Sequence, residues 1–161
     1  MINILLAALI LMTRTLYDAG EFKSIKPHFD GECEIVEGVV GAEDITLINH
    51  GLAIISSDNR RETLYGNNIQ GSLFLYDINL QSLTNITPNL EFEFHPHGIS
   101  IFHMEDMSIQ IAAVNHRSNE QTIEIFNLKN QVINHIKTIR DKHLISPNDI
   151  VLIDEYRFYM T

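Results

Sequence analysis

One cysteine, no tryptophan and few cations distinguish this 161-residue chain before any pattern in it is read. A single thiol, Cys33, rules out an internal disulfide and any cysteine-rich zinc site. Lysine and arginine total 11 against 21 aspartates and glutamates, a formal net charge of -10. Non-specific nucleic-acid binding needs clustered cations facing phosphates, so this balance argues against nucleic acid as a partner. No low-complexity tract occurs, and no Gly-x-Ser-x-Gly segment, which disfavours a serine hydrolase built on a nucleophile elbow. What is present is a hydrophobic fraction of 45% beside 20% charged residues, the proportion of a chain that buries a core. The length sets the prior at one domain.

The N-terminus holds a short apolar run, residues 4–12, nine residues followed by Thr13 and Arg14. At about 1.5 Å per residue a helix of that length covers roughly half of a ~30 Å hydrocarbon core, so it does not span a membrane. It has the length of a signal's apolar region, although no Lys or Arg precedes it and no small-x-small site follows closely. A cleaved signal, a retained signal, a monotopic anchor and a buried core helix all stay open. Residues 1–25 are set apart as a signal or anchor helix with its linker. A secreted or membrane-associated location follows from that assignment.

From Pro27 onward the apolar spacing shifts towards two, and Gly, Asn, Asp and Pro punctuate the runs. Strands are expected over 45–48, 52–56, 72–77, 99–102, 109–114, 122–126, 132–137, 150–153 and 157–160, with no second amphipathic helix of useful length. The fold class is all-β. Three stretches repeat one pattern, a polar pair, an Ile and an apolar strand: Glu43-Asp44-Ile45-Thr46-Leu47-Ile48, His97-Gly98-Ile99-Ser100-Ile101-Phe102 and Asn148-Asp149-Ile150-Val151-Leu152-Ile153. Ile45 and Ile99 are 54 positions apart, Ile99 and Ile150 are 51. A period near fifty with four short strands per unit fits a β-propeller blade whose innermost strand comes first. Residues 26–161 are then about two blades and the start of a third, the N-terminal part of a longer protein, with the polar pairs converging on one axis.

At these repeated positions the chain resembles the paraoxonase and arylesterase family of calcium-dependent six-bladed propeller hydrolases. The matching residues are Gly41-Ala42-Glu43-Asp44, Gly51-Leu52-Ala53-Ile54-Ile55-Ser56-Ser57, Pro96-His97-Gly98-Ile99-Ser100, Val114-Asn115-His116, Leu128, His135-Ile136-Lys137-Thr138-Ile139-Arg140 and Asn148-Asp149-Ile150-Val151, in the family's order across residues 27–161. The resemblance implies two calcium ions in a central tunnel. Glu43 and Asn148 would be ligands of an exposed catalytic calcium; Asp44, Asp149 and the Ile99 carbonyl would be ligands of a buried structural one. Oxygen donors on neighbouring innermost strands are what calcium prefers. Read without the resemblance, Glu43 and Asp44 are turn residues and Asn148-Asp149 a strand-initiating turn. His97 would be the general base and His116 its relay, an imidazole pair suited to neutral pH. His95 is set aside as a decoy, and His28, His50, His103, His135 and His143 are read as surface or packing residues.

The function implied is calcium-dependent hydrolysis of aryl esters and lactones, with a small ester or lactone as substrate and a membrane or lipoprotein surface met through the N-terminal helix. The alternative is a non-catalytic calcium-binding or chaperone-like propeller fragment. Cys33 stands where the family closes its propeller with a disulfide, and its partner is absent from these residues. Asn85-Ile86-Thr87 is a glycosylation sequon if the chain is secreted. Asp58-Asn59-Arg60-Arg61 replaces apolar and aromatic residues that commonly line the family's site, so substrate preference does not carry over. Further calcium ligands would come from later blades, and little activity and poor solubility are expected of these residues alone.

Overall fold

A computed structural model describes residues 2–26 and 28–161; Met1 and Pro27, the latter taken above as the beginning of the strand-rich part, lie outside the described residues. The chain divides into two compact units with the boundary between Ile35 and Val36.

The first unit holds one helix, α1 (Ile2–Asp18), which contains the apolar run. Gly20 ends it in the left-handed region, φ 82°, where its N–H and that of Glu21 donate to the carbonyls of Tyr17 and Leu16. Thr13 and Thr15 return their hydroxyls to the carbonyls four residues back, so neither exposes an unpaired donor to the apolar surface. Ile4, Leu5, Leu9, Ile10 and Leu11 are exposed. Among the described residues no helix is long and apolar enough to cross a membrane.

The second unit is mostly antiparallel β. Strands β1 (Ala42–Asn49), β2 (Leu52–Ser57), β3 (Ser72–Asp77) and β4 (Ser82–Asn85) form a four-stranded meander in sequence order. A one-turn helix, α2 (Arg60–Leu64), lies between β2 and β3, capped by the Asn59 side chain. Strands β5 (Pro96–His103), β6 (Ile109–His116), β7 (Gln121–Lys129) and β8 (Val132–Ile139) form a second meander, and β9 (Ile150–Leu152) pairs with β10 (Phe158–Met160). Local chemistry sets the turns. Asn49 Oδ1 accepts from Gly51 N, Asp77 Oδ1 from Asn79 and Leu80, Asp106 Oδ1 from Ser108, and Asp154 Oδ1 from Tyr156 and Arg157.

Alternation along β6 and β7 places the second sheet between two cores. Ile111 and Ala113, with Phe126 and Leu128, pack against Ile54, Leu73, Leu75 and Phe94. The neighbouring residues Ala112, Val114, Ile123 and Ile125 face the other way, onto Leu144, Ile150 and Leu152. A strand buried on both faces reads as a continuous apolar run, as 111–114 does. The first sheet and the β9–β10 pair thus flank the second. That packing brings the beginnings of β1, β5 and β9 together.

Candidate functional site

Two ladder irregularities shape the site. The β1–β2 register shifts between Ala42 and Asp44, and the β5–β6 register shifts between Pro96 and Ile99. Each frees a polar residue, Glu43 or His97, from strict pairing at a strand's beginning. Gly41 makes the first approach feasible: at φ 65° a Cβ there would lie 2.2 Å from the Asp58 carbonyl oxygen, which follows the end of β2. Gly98 makes the second: its Cβ would meet Asp149 Cα at 2.6 Å and the Asn148 carbonyl oxygen at 2.7 Å. Only a residue without a side chain lets β5 come this close to the chain entering β9.

At the centre stands His97. Its Nδ1 lies 2.9 Å from Glu43 Oε2 and 2.6 Å from an Arg60 guanidinium nitrogen, while Nε2 is 3.0 Å from Asn148 Oδ1. Glu43 accepts only and Arg60 donates only, so the two compete for one nitrogen. Arg60 Nε also approaches Glu43 Oε1 at 3.3 Å. Ser56, fully buried, anchors this backbone: its hydroxyl donates to the His97 carbonyl at 2.6 Å and accepts from Asp44 N–H at 3.0 Å. Asp44 Oδ2 accepts from Ile99 N–H at 2.8 Å, a contact spanning 55 positions, and Asp149 Oδ1 accepts from Ile150 N–H at 2.8 Å. The two aspartates flank the Gly98–Ile99 backbone from opposite strands. Among the described residues, no three His, Cys, Asp or Glu side chains are grouped as a metal centre.

The His116 ring is 5.2 Å from that of His97, centroid to centroid, tilted by 59°. Gln121 Oε1 holds its Nδ1–H, which leaves the lone pair on Nε2. Burial presses the His116 pKa below its ordinary value, so the neutral ring persists. The sequence-derived set, Glu43, Asp44, His97, Ile99, His116, Asn148 and Asp149, therefore gathers where β1, β5 and β9 begin and β6 ends.

Other residues of the site escaped the sequence reading. Ser56 sits in a motif quoted for other reasons, and Arg60 was read as a departure. His95, set aside above as a decoy, is buried beside the imidazole pair. It is 5% exposed, with Nδ1 2.9 Å from Asp58 Oδ1 and Nε2 3.4 Å from Glu93 Oε1. The hydrogen bond and charge of Asp58, helped by Glu93, raise its pKa above the ordinary value against the opposing effect of burial. Asp58, Arg60, Thr63, Leu64, Glu93, His95, His116 and Ser118 enclose an open pocket of about 330 Å3 beside the imidazole pair. The only advance signal for His95 was its spacing of two from His97, which alternation places on one side of an extended segment.

Comparison with known proteins adds relatives to this geometry. The model of a family described as Arylesterase matches residues 21–161. The chain is 33% identical over 150 residues to serum paraoxonase/arylesterase 1 of Homo sapiens, an alignment covering 86% of this chain and 42% of that protein. Serum paraoxonase/lactonase 3 of Rattus norvegicus is 34% identical over 149 residues, with the same coverage, 86% and 42%. Serum paraoxonase/arylesterase 2 of Gallus gallus is 34% identical over 140 residues, 80% of this chain and 39% of that protein. The chain spans less than half the length of these relatives.

Proposed function

Because the chain belongs to the arylesterase family, we propose that it is part of a hydrolase of carboxylic esters and lactones whose catalytic base is His97. The single observation that carries this reading is the placement of the His97 imidazole between two oxygens from separate strands, Glu43 Oε2 at 2.9 Å and Asn148 Oδ1 at 3.0 Å, with His116 alongside. With Glu43 accepting the Nδ1–H, Nε2 takes the proton of an attacking water when the Asn148 side chain turns away from it, since the resting contact with Asn148 Oδ1 suits an Nε2–H and not a lone pair. Asn148 Oδ1 then accepts the new N–H. His116, kept neutral by burial, receives or returns that proton through its own Nε2. General-base assistance of this kind is worth about a hundredfold to ten-thousandfold in rate.

Calcium belongs to the same proposal. The donor set is all oxygen, from Glu43, Asp44, Asn148, Asp149 and the Ile99 carbonyl, which suits a hard cation taking six to eight oxygens and not a thiolate- or imidazole-seeking metal. Glu43 and Asn148 would hold a catalytic ion, and Asp44, Asp149 and Ile99 a structural one. When bound, the catalytic ion supplies polarisation of the ester carbonyl and neutralisation of developing charge on its oxygen. The two meanders and the β9–β10 pair are proposed as the first blades of a six-bladed propeller, and α1 as a signal or membrane-surface anchor of a secreted or membrane-associated protein.

Phenyl acetate hydrolysis by the full-length protein, followed with and without a calcium chelator, tests the reading. Chelation is expected to abolish turnover, and His97→Gln to lower kcat at least about a hundredfold. Turnover insensitive to chelator, or unaltered by His97→Gln, overturns it.

A further inference from the structure

We propose that His95 is a positioning residue: its ring donates to Asp58 from one nitrogen and to Glu93 from the other, tying both walls of the pocket to the start of β5. The inference rests on the hydrolytic reading above, because the walls it ties surround the space beside His97 and His116. One wall is Asp58 with Arg60, Thr63 and Leu64 of α2; the other is Glu93 with Ser118.

Geometry makes the argument. A carboxylate only accepts hydrogen bonds, so a ring flanked by one carboxylate at 2.9 Å and another at 3.4 Å is fully matched only when both nitrogens carry hydrogen. The main chain of the same residue is committed as well: His95 N–H donates to Asn115 Oδ1 at 2.8 Å, and His95 C=O accepts from His116 N–H at 3.1 Å. His95 therefore holds the backbone of the relay histidine at one edge and the two walls through its ring. Glu93 extends the tie, since its carboxylate accepts both Ser118 N–H at 2.8 Å and Ser118 O–H at 2.9 Å.

Loss of one ring proton acts unequally on the walls. Asp58 keeps the Nδ1–H and also has Arg60 Nε at 3.8 Å. Glu93 is left facing a lone pair. The groups around His95 are thus Asp58 after β2, Arg60 from α2, Glu93 before β5, His116 at the end of β6 and His97 along its own strand; of the two carboxylates, Glu93 alone loses its cation. The raised pKa of His95 sets the direction. The closed arrangement is present at lower pH and is lost as pH rises through that raised value, when the Glu93–Ser118 wall moves away.

Glu93→Gln separates this from a purely structural role, because an amide donates to a neutral ring as readily as it accepts from a charged one. Imidazole nitrogen NMR of the chain, with His95→Asn to identify the signal, is expected to show both His95 nitrogens still protonated above the ordinary histidine value. The Ser118 amide signal should move with the same midpoint in the wild type and stay still in Glu93→Gln. In the full-length protein, phenyl acetate KM should rise roughly threefold or more across that midpoint at constant kcat in the wild type, and stay level in Glu93→Gln. A His95 that is already a neutral single tautomer at the ordinary histidine value, or a Ser118 signal indifferent to its titration, overturns the proposal. A full-length protein without hydrolysis but with coupled His95 and Ser118 titration supports the tie and overturns the hydrolytic reading instead.

Discussion

Glu124 is fully buried, yet it holds a charge that five neighbours satisfy. Thr122, Asn115 and Arg117 donate to Oε1, at 2.7, 3.0 and 2.6 Å, while Thr138 and His135 donate to Oε2 at 2.6 and 2.9 Å. Burial alone would raise its pKa; the hydrogen bonds outweigh it and draw the carboxyl from 4.5 down to about 2. A depressed carboxyl stabilises the fold above its ordinary value, and that contribution is lost as pH falls from about 4.5 towards 2. Thermal midpoints recorded on acidification should therefore drop steeply for the wild type and more gently for Glu124→Gln. Glu124→Ala, which leaves the largely buried Arg117 guanidinium with Glu120 as its carboxylate partner, should cost about 3 kcal/mol by chemical denaturation. Gly98→Ala forces its Cβ into Asn148 and Asp149, and should lower stability by about 1–3 kcal/mol together with a loss of ester hydrolysis. Such residues differ in how readable they were. The Glu43-Asp44, His97-Gly98 and Asn148-Asp149 pairs recur at one period and announce themselves. The His95–Asp58 pair is joined across 37 positions by sheet packing alone, and nothing local marks it.

At the scale of elements, the strands were legible wherever a short apolar run is bounded by turn formers, as in β3 and β6. β4 was not, because Ser82-Leu83-Thr84-Asn85 offers one apolar residue, and its strand form comes from pairing with β3. β1 and β5 begin earlier than the apolar pattern shows, since the bulges let polar residues join the ladder. α2 is a single capped turn without an apolar stripe, too short for periodicity to reveal. The β7–β8 hairpin carries its own prediction. Asn130 and Gln131 both have positive φ, 52° and 63°, the conformation of a two-residue type I′ turn. Asn tolerates it; Gln does not favour it. Gln131→Gly should raise stability by up to about 1 kcal/mol, read as a higher denaturant midpoint, and Gln131→Val should lower it.

Taken as a whole, the strand-rich unit has one sheet covered on both faces and two flanking pieces covered on one. Phe126 lies in the covered sheet, fully buried against Phe94 and His135, and Phe126→Ala should cost about 3–5 kcal/mol. By contrast Ile45 and Leu47 on β1 are each 59% exposed, and Val151 and Tyr159 on the β9–β10 pair are exposed too. Exposed apolar strand faces bind hydrophobic dyes and one another. Ile45→Lys combined with Leu47→Lys should reduce both dye fluorescence and self-association in light scattering. The repeat near fifty positions marked where β1, β5 and β9 begin, but not the imbalance between covered and uncovered faces, which depends on neighbours that no periodicity encodes.

The bonds from Asp44 to Ile99 and from His97 to Asn148 each close more than fifty positions of chain. Hairpins within each meander close far shorter loops, and short loops close first. The three strand beginnings therefore meet late in the folding reaction, after the sheets have formed and when they dock. A fluorophore that reports on His97 would light up behind the arrival of β-structure, timing the final docking step.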